Sequence, residues 1–255
     1  MDPLKIGVQL YTLRGDMDRD FIGTLEQVAA MGYEGVEFAG YGGLTPEQLA
    51  SELKRLNLRA AGSHVSIEQL TDHLDEQIEM NLAIGNRNII CPGIPKLHEA
   101  DEDILNESVS KLEAVAERLA VHGMKLGYHN HGYEFEAKIG DKTVFDLLFG
   151  KLPVDKLFTE LDVCWVKHGG YNPLEIINQY SGRVPFIHYK DLKYDDNGNP
   201  MTMELGQGEL NLVAVAQAAR AAGTEWLIVE QDDCQRAPLD SVRGSREWIK
   251  DNLGL

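Results

Sequence analysis

Short runs of apolar and β-branched residues alternate along the chain with longer stretches in which apolar residues return every three or four positions. The runs IGVQL (6–10), GVEF (35–38), LRAAG (58–62), NIICP (88–92), KLGYHN (125–130), LFTELD (157–162), VPFIHY (184–189) and EWLIVE (225–230) are short and largely apolar throughout. Strands of that kind are buried on both faces, as in a parallel sheet. Between them, sets such as Phe21, Leu25, Val28, Ala29 and Leu105, Val109, Leu112, Val115, Leu119 carry the helical period. Met31-Gly32, His122-Gly123 and Ala222-Gly223 place a glycine just past a helical run and before a strand, where a left-handed cap ends the helix. Thr45-Pro46-Glu47 pairs a capping hydroxyl with proline at the first helical position.

The pattern repeats as eight strand-plus-helix units, and no Pro/Gly/Ser-rich linker divides them. A single α/β domain over residues 1–255, closed as a (β/α)8 TIM barrel, is the expectation, since such barrels typically need about 250 residues. The rival, an open doubly wound sheet, calls for a phosphate-binding GxGxxG after the first strand, and VQLYTLRGD has none. The longest irregular piece is KYDDNGNPMTMELGQG, Lys193 to Gly208, between the seventh strand and its helix.

Composition narrows the partners. With 41 acidic and 24 basic residues, the net charge of −17 would repel nucleic acid, whose binding rests on neutralised phosphates. Cys91, Cys164 and Cys234 are odd in number and lack a CxxC, which fits a reducing cytoplasm rather than a disulfide framework. MDPLKIGVQL lacks the basic and apolar regions of a signal peptide, and no run is long enough for a bilayer. The expected setting is cytoplasmic and membrane-free; a homo-oligomer is compatible with these features.

Barrel enzymes build their sites at the C-terminal ends of the strands. Here those ends carry Gln9 and Tyr11, Glu37, His64, the segment His129 to Glu134, Asp162, His188 and Lys190, and Glu230 to Asp233, whereas strand starts are plainer, with Lys5, Lys125 and Thr224. Bland roles compete: Glu37 as a solvated loop residue, His64 as a cap for the helix near Ser66, Lys190 and Asp191 as a surface ion pair. Cys91 and Cys164 read as small core residues, His73, His98 and His122 as solvated, and Phe145 and Trp248 as packing. Asp162, His188 and Glu230 resist such readings, because buried carboxylates are rarely left unpaired. At the same end of three consecutive strands they come within reach of one ion, and oxygen and nitrogen donors without thiolate suit a divalent metal such as Mn²⁺, Mg²⁺, Co²⁺ or Zn²⁺. A fourth ligand is expected from the polar run KLGYHNHGYE of strand five. Alternation puts His129 and His131 on one face of that strand, inward rather than against the helices.

GVQLYTLR, GYEGVEFAG, AAGSHVS, GYHNHGYEF, LDVCWVKHGG, PFIHYKD and ELGQGEL, in that order, resemble the sugar phosphate isomerase/epimerase family of xylose isomerase-like TIM barrels over about residues 5 to 250. The resemblance implies one divalent metal held by Glu, Asp, His and Glu at the ends of strands five to eight, and proton movement beside a sugar carbonyl through an enediolate. Carried onto this chain, it gives Asp162, His188 and Glu230 as ligands. Many members have a glutamate where this chain has His129; Glu134 is the expected replacement, the chain bulging after Gly132, with His129 the alternative. The implied catalytic groups are His131, Glu134, Glu230 and Lys190, with His129 the alternative base, and Tyr11, Glu37, His64, His129 and Trp165 would contact a small sugar or keto-sugar. The HNH-type segment also resembles branches acting on 3-keto-sugars and keto-inositols, so a lyase or dehydratase is the second reading. An apurinic endonuclease, needing a trinuclear metal set and a DNA-facing surface, and a non-catalytic sugar-binding barrel are the remaining alternatives.

Overall fold

The computed structural model describes residues 3–255, and its centre is a closed parallel barrel of eight strands. The strands are β1 (Lys5–Gln9), β2 (Gly35–Phe38), β3 (Arg59–His64), β4 (Asn88–Cys91), β5 (Lys125–His129), β6 (Leu157–Asp162), β7 (Phe186–Tyr189) and β8 (Trp226–Val229). Each pairs in parallel with its sequence neighbours, and β1 closes on β8 with Lys5 opposite Trp226. All eight apolar runs are therefore strands, within two residues at each end. The helix signals hold as well. Gly32, Gly123 and Gly223 have φ of +86°, +67° and +84°, and Thr45 and Gln48 form a reciprocal capping box before Pro46–Leu56.

Two apolar regions hold the fold. The larger lies between strands and helices; the smaller fills the inside of the barrel with Ala61, Ile90, Phe158, Phe186, Trp226 and Ile228. Large rings fit in a narrow barrel because glycines on nearby strands leave room where the rings lie. A Cβ on Gly35 would stand 2.7 Å from the Trp226 ring, and one on Gly127 would overlap Phe158. This apolar plug is a floor. Because side chains alternate along a strand, the inward positions above Phe158 are Glu160 and Asp162, above Phe186 His188 and Lys190, and above Trp226 Ile228 and Glu230.

The segment after β7 differs from the expected irregular piece. Asp191–Tyr194 and Pro200–Met203 form an antiparallel hairpin, turning at Asp195–Gly198 with Gly198 at φ +82°. A second small hairpin, Lys138–Ile139 with Lys142–Thr143, lies beyond β5.

Candidate active site

Above the floor, polar side chains from six strands or strand ends converge and are almost entirely sealed from solvent: Gln9, Glu37, His129, Glu160, Asp162, His188, Lys190 and Glu230. So dense a polar cluster inside a barrel is sustained only by pairing or by a bound ion. His188 is its hub. Its Nε2 lies 2.7 Å from Glu37 Oε2 and 3.1 Å from Glu160 Oε2, while its Nδ1 lies 2.7 Å from Glu230 Oε2. Burial opposes charge on this imidazole, yet Glu160, Glu230 and Glu37 together hold its pKa well above the usual histidine value. Glu37 accepts a further bond from Gln9 Nε2 at 2.7 Å, and burial followed by the nearby Glu160 pushes its carboxyl up to about 7.

His64 reaches 2.5 Å from Glu160 Oε2; the cap of Ile67–Asp72 is Ser66 itself. Burial would raise Glu160, but His188 and His64 hold it well below the carboxylate range. Lys190, 1% exposed, places its Nζ 2.9 Å from Asp162 Oδ2, 2.7 Å from Glu230 Oε2 and 3.0 Å from Asp232 Oδ2. Asp191 points the other way, into a buried position where its carboxylate takes backbone amides. Lys190 and Asp191 are thus neither exposed nor paired with each other.

Two groups of ligand-grade atoms lie within 4.8 Å of one another: His64, His129, Glu160 and His188, and His129, Asp162, His188 and Glu230. The second unites the three expected ligands with His129, the alternative for strand five. Glu134 departs from the expectation. It sits in the single helical turn Tyr133–Glu136, its oxygens take bonds from Tyr128 Oη (2.7 Å) and the His131 amide (2.8 Å), and it belongs to neither group. Burial pushes its carboxyl up to about 8. The turn redirects the chain after β5, so Glu134 braces the loop on which His131 stands.

The residues fit a cation. Glu160 Oε1 and Glu37 Oε1 are buried with no hydrogen-bond partner among the described residues; Asp162, Glu230 and Asp232 share Lys190, while Glu37 and Glu160 share His188. His188 Nε2 is held by Glu37 and Glu160, while its Nδ1 faces Glu230, a member of the second group. A carboxylate behind a ligating imidazole is the usual way a metal-binding histidine is oriented. The second group is therefore the better seat.

Over this cluster opens a cavity of about 320 Å³ lined by Tyr11, Ala39, His64, Pro92, His129, His131, Glu230 and Asp232. Tyr11 stands on the rim, 45% exposed, its ring under the Arg14 guanidinium at 4.3 Å. His131 has a buried Nδ1 without a partner among the described residues, and its ring stacks on Tyr133 at 5.4 Å and faces Trp165 at 6.1 Å. Burial, then the Lys190 charge, lowers the His131 pKa to about 4, which keeps the ring neutral. Glu37, expected as a substrate contact, lies below the cavity as a partner of His188. Sequence reasoning passed over Glu160, although alternation from Asp162 back along LFTELD puts it on the same inward face. A larger surface groove of about 470 Å³ between Lys167, Tyr171, Glu209 and Asn211 gathers none of these groups.

A family model described as xylose isomerase-like TIM barrel matches residues 25–252. The inosose dehydratase of Clostridium beijerinckii is 24% identical over 183 residues, 65% of this chain and 59% of that protein. The chain thus spans a little over half the length of the curated relatives it matches. A sugar phosphate isomerase/epimerase of Parabacteroides distasonis superposes with a TM-score of 0.82 at 20% identity, covering 98% of this chain and 94% of the other. A probable 3-DHS dehydratase of Bacillus anthracis gives 0.76 at 16% identity, covering 97% and 99%. At these identities the structural likeness carries the fold. Among the described residues no helix is long and apolar enough to cross a membrane.

Proposed function

Because this chain belongs to the xylose isomerase-like TIM barrel family, we propose that it is an enzyme moving a proton at the carbon beside the carbonyl of a small keto-sugar or keto-polyol. The observation that carries the proposal is the cavity floor. There a neutral imidazole, His131, lines the cavity beside a buried set of His129, Asp162, His188 and Glu230. That set would hold one divalent cation, Mn²⁺ being the first candidate, which when bound supplies a Lewis acid for the carbonyl.

The chain's own groups do the rest. The His131 imidazole takes the proton; a positioned base of this kind typically contributes about 10²–10⁴-fold in rate. Lys190 offsets negative charge growing on the carbonyl side, and His64 and Tyr11 hold hydroxyls. Glu37 and Glu160 fix His188 in one orientation. Trp165 and Tyr133 wall the His131 ring and limit water around it.

The fate of the proton distinguishes the products. Return of the proton to the opposite face epimerises; return to the neighbouring carbon isomerises. Elimination is the second reading: a carbon–carbon double bond forms as hydroxide leaves the next carbon and takes up a proton as water. The dehydratase names of two similar proteins favour it. Incubating the enzyme with Mn²⁺ and a panel of keto-sugars and keto-inositols in D₂O, with mass spectrometry as the readout, tests the shared first step. Deuterium should appear beside the carbonyl, and His131→Ala should slow its appearance while the cation stays bound. An isomerised product free of solvent deuterium would mean internal hydride transfer and would remove the base, whereas an eliminated product need carry none.

A further inference from the structure

Lys190 is a fully buried ammonium just beyond the end of β7, and two of its three oxygen partners, Asp162 Oδ2 and Glu230 Oε2, belong to the proposed cation ligands. An ammonium 2.7–2.9 Å from both oxygens already holds two of the four donors a cation would use there. A divalent ion bonded to the same oxygens at about 2.0–2.2 Å would stand no farther than roughly 5 Å from the Lys190 nitrogen. Two positive centres so close, in a pocket nearly closed to water, repel strongly. The lysine stem is flexible, and its third partner offers a way out: Asp232 is 32% exposed and lines the cavity mouth.

We propose that the Lys190 ammonium and the divalent cation are mutually exclusive occupants of the Asp162–Glu230 seat, so that Lys190 is a built-in competitor that sets cation affinity. When the cation enters, the ammonium moves out with Asp232 to the cavity mouth. Binding of the ion thereby places a positive group where the substrate lies, and removal of the ion withdraws it. This rests on the assignment of His129, Asp162, His188 and Glu230 as the seat. It adds that the seat holds a cation of the protein's own when no metal is bound, and that the two are linked reciprocally.

The test is calorimetric titration of MnCl₂ into the full chain after stripping with chelator. Wild type is compared with Lys190→Met, Lys190→Gln, Lys190→Arg and Asp162→Ala. Removing the competitor should tighten Mn²⁺ binding by about 10–100-fold in Lys190→Met and Lys190→Gln, on the scale of other groups placed around a metal. The glutamine variant keeps an amide donor for the carboxylates and gives a folded protein should the methionine variant need the ion to fold. Lys190→Arg, which keeps the charge, should bind no more tightly than wild type. Equal affinities in wild type, Lys190→Met and Lys190→Gln, or a gain in Lys190→Arg as large as theirs, would overturn the competition. Uptake undiminished in Asp162→Ala, or absent from every variant, would overturn the seat itself.

Discussion

Replacing Asp191 by alanine tests how the loop beyond β7 is held, and its cost can be worked from the bonds lost. The Asp191 carboxylate is fully buried. Oδ1 accepts from the amides of Leu192 (2.9 Å) and Leu210 (3.1 Å), and Oδ2 from those of Gly206 and Gly208 (2.9 Å each). One side chain therefore anchors much of the ELGQGEL segment onto the strand that carries His188 and Lys190. A hydrogen bond to a charged group is worth about 1.5–3 kcal/mol net, but Gly206 is exposed and Gly208 half-buried, so part of the loop regains water. The expected loss for Asp191→Ala is about 3–5 kcal/mol, within the range of broken buried networks. Asp191→Asn should lose less, because it keeps one acceptor while turning an NH₂ group toward a backbone amide. Urea unfolding monitored by circular dichroism, with the slope checked for a change in the denatured state, measures both. A loss below about 1 kcal/mol in the alanine variant would refute the anchoring role.

The same geometry sets further outcomes. Gly127→Ala should destabilise by about 1–3 kcal/mol through overpacking against Phe158, and Phe158→Leu in the same chain should recover part of the loss by thermal unfolding. Glu134→Gln should retain Mn²⁺ in a metal analysis, because the glutamate braces the His131 loop and lies outside both ligand groups; loss of the ion would restore Glu134 as a ligand. Burial pushes the Cys91 thiol up to about 12 and raises Cys164 as well. Native protein at pH 8 should therefore show at most the half-buried Cys234 reacting with a thiol reagent, and all three cysteines after denaturation.

The barrel was legible because buried parallel strands need apolar residues on both faces, and glycines punctuate the helix ends. The hairpin at Asp191–Met203 was not, since its strands, DLKY and PMTM, are short and show no regular apolar alternation; only Asn197-Gly198 marks its turn. Three members of the proposed seat, Asp162, His188 and Glu230, stand at strand ends where alternation turns them inward. Glu134 stands outside both candidate groups because β5 stops at His129 and a single helical turn, invisible to a two-residue period, redirects the chain. The same period, applied to LFTELD, contains Glu160, and applied to HYKD it separates Lys190 from Asp191 to opposite sides of the chain. Adjacent opposite charges suggest an ion pair only where alternation does not divide them.

The most direct test of the seat is anomalous diffraction from crystals of the full chain grown with Mn²⁺. The account predicts one manganese peak among His129, Asp162, His188 and Glu230, with the Lys190 nitrogen moved toward Asp232. A peak bonded to Glu134, or one among His64, Glu160 and His188 Nε2 with Lys190 still between Asp162 and Glu230, would contradict it.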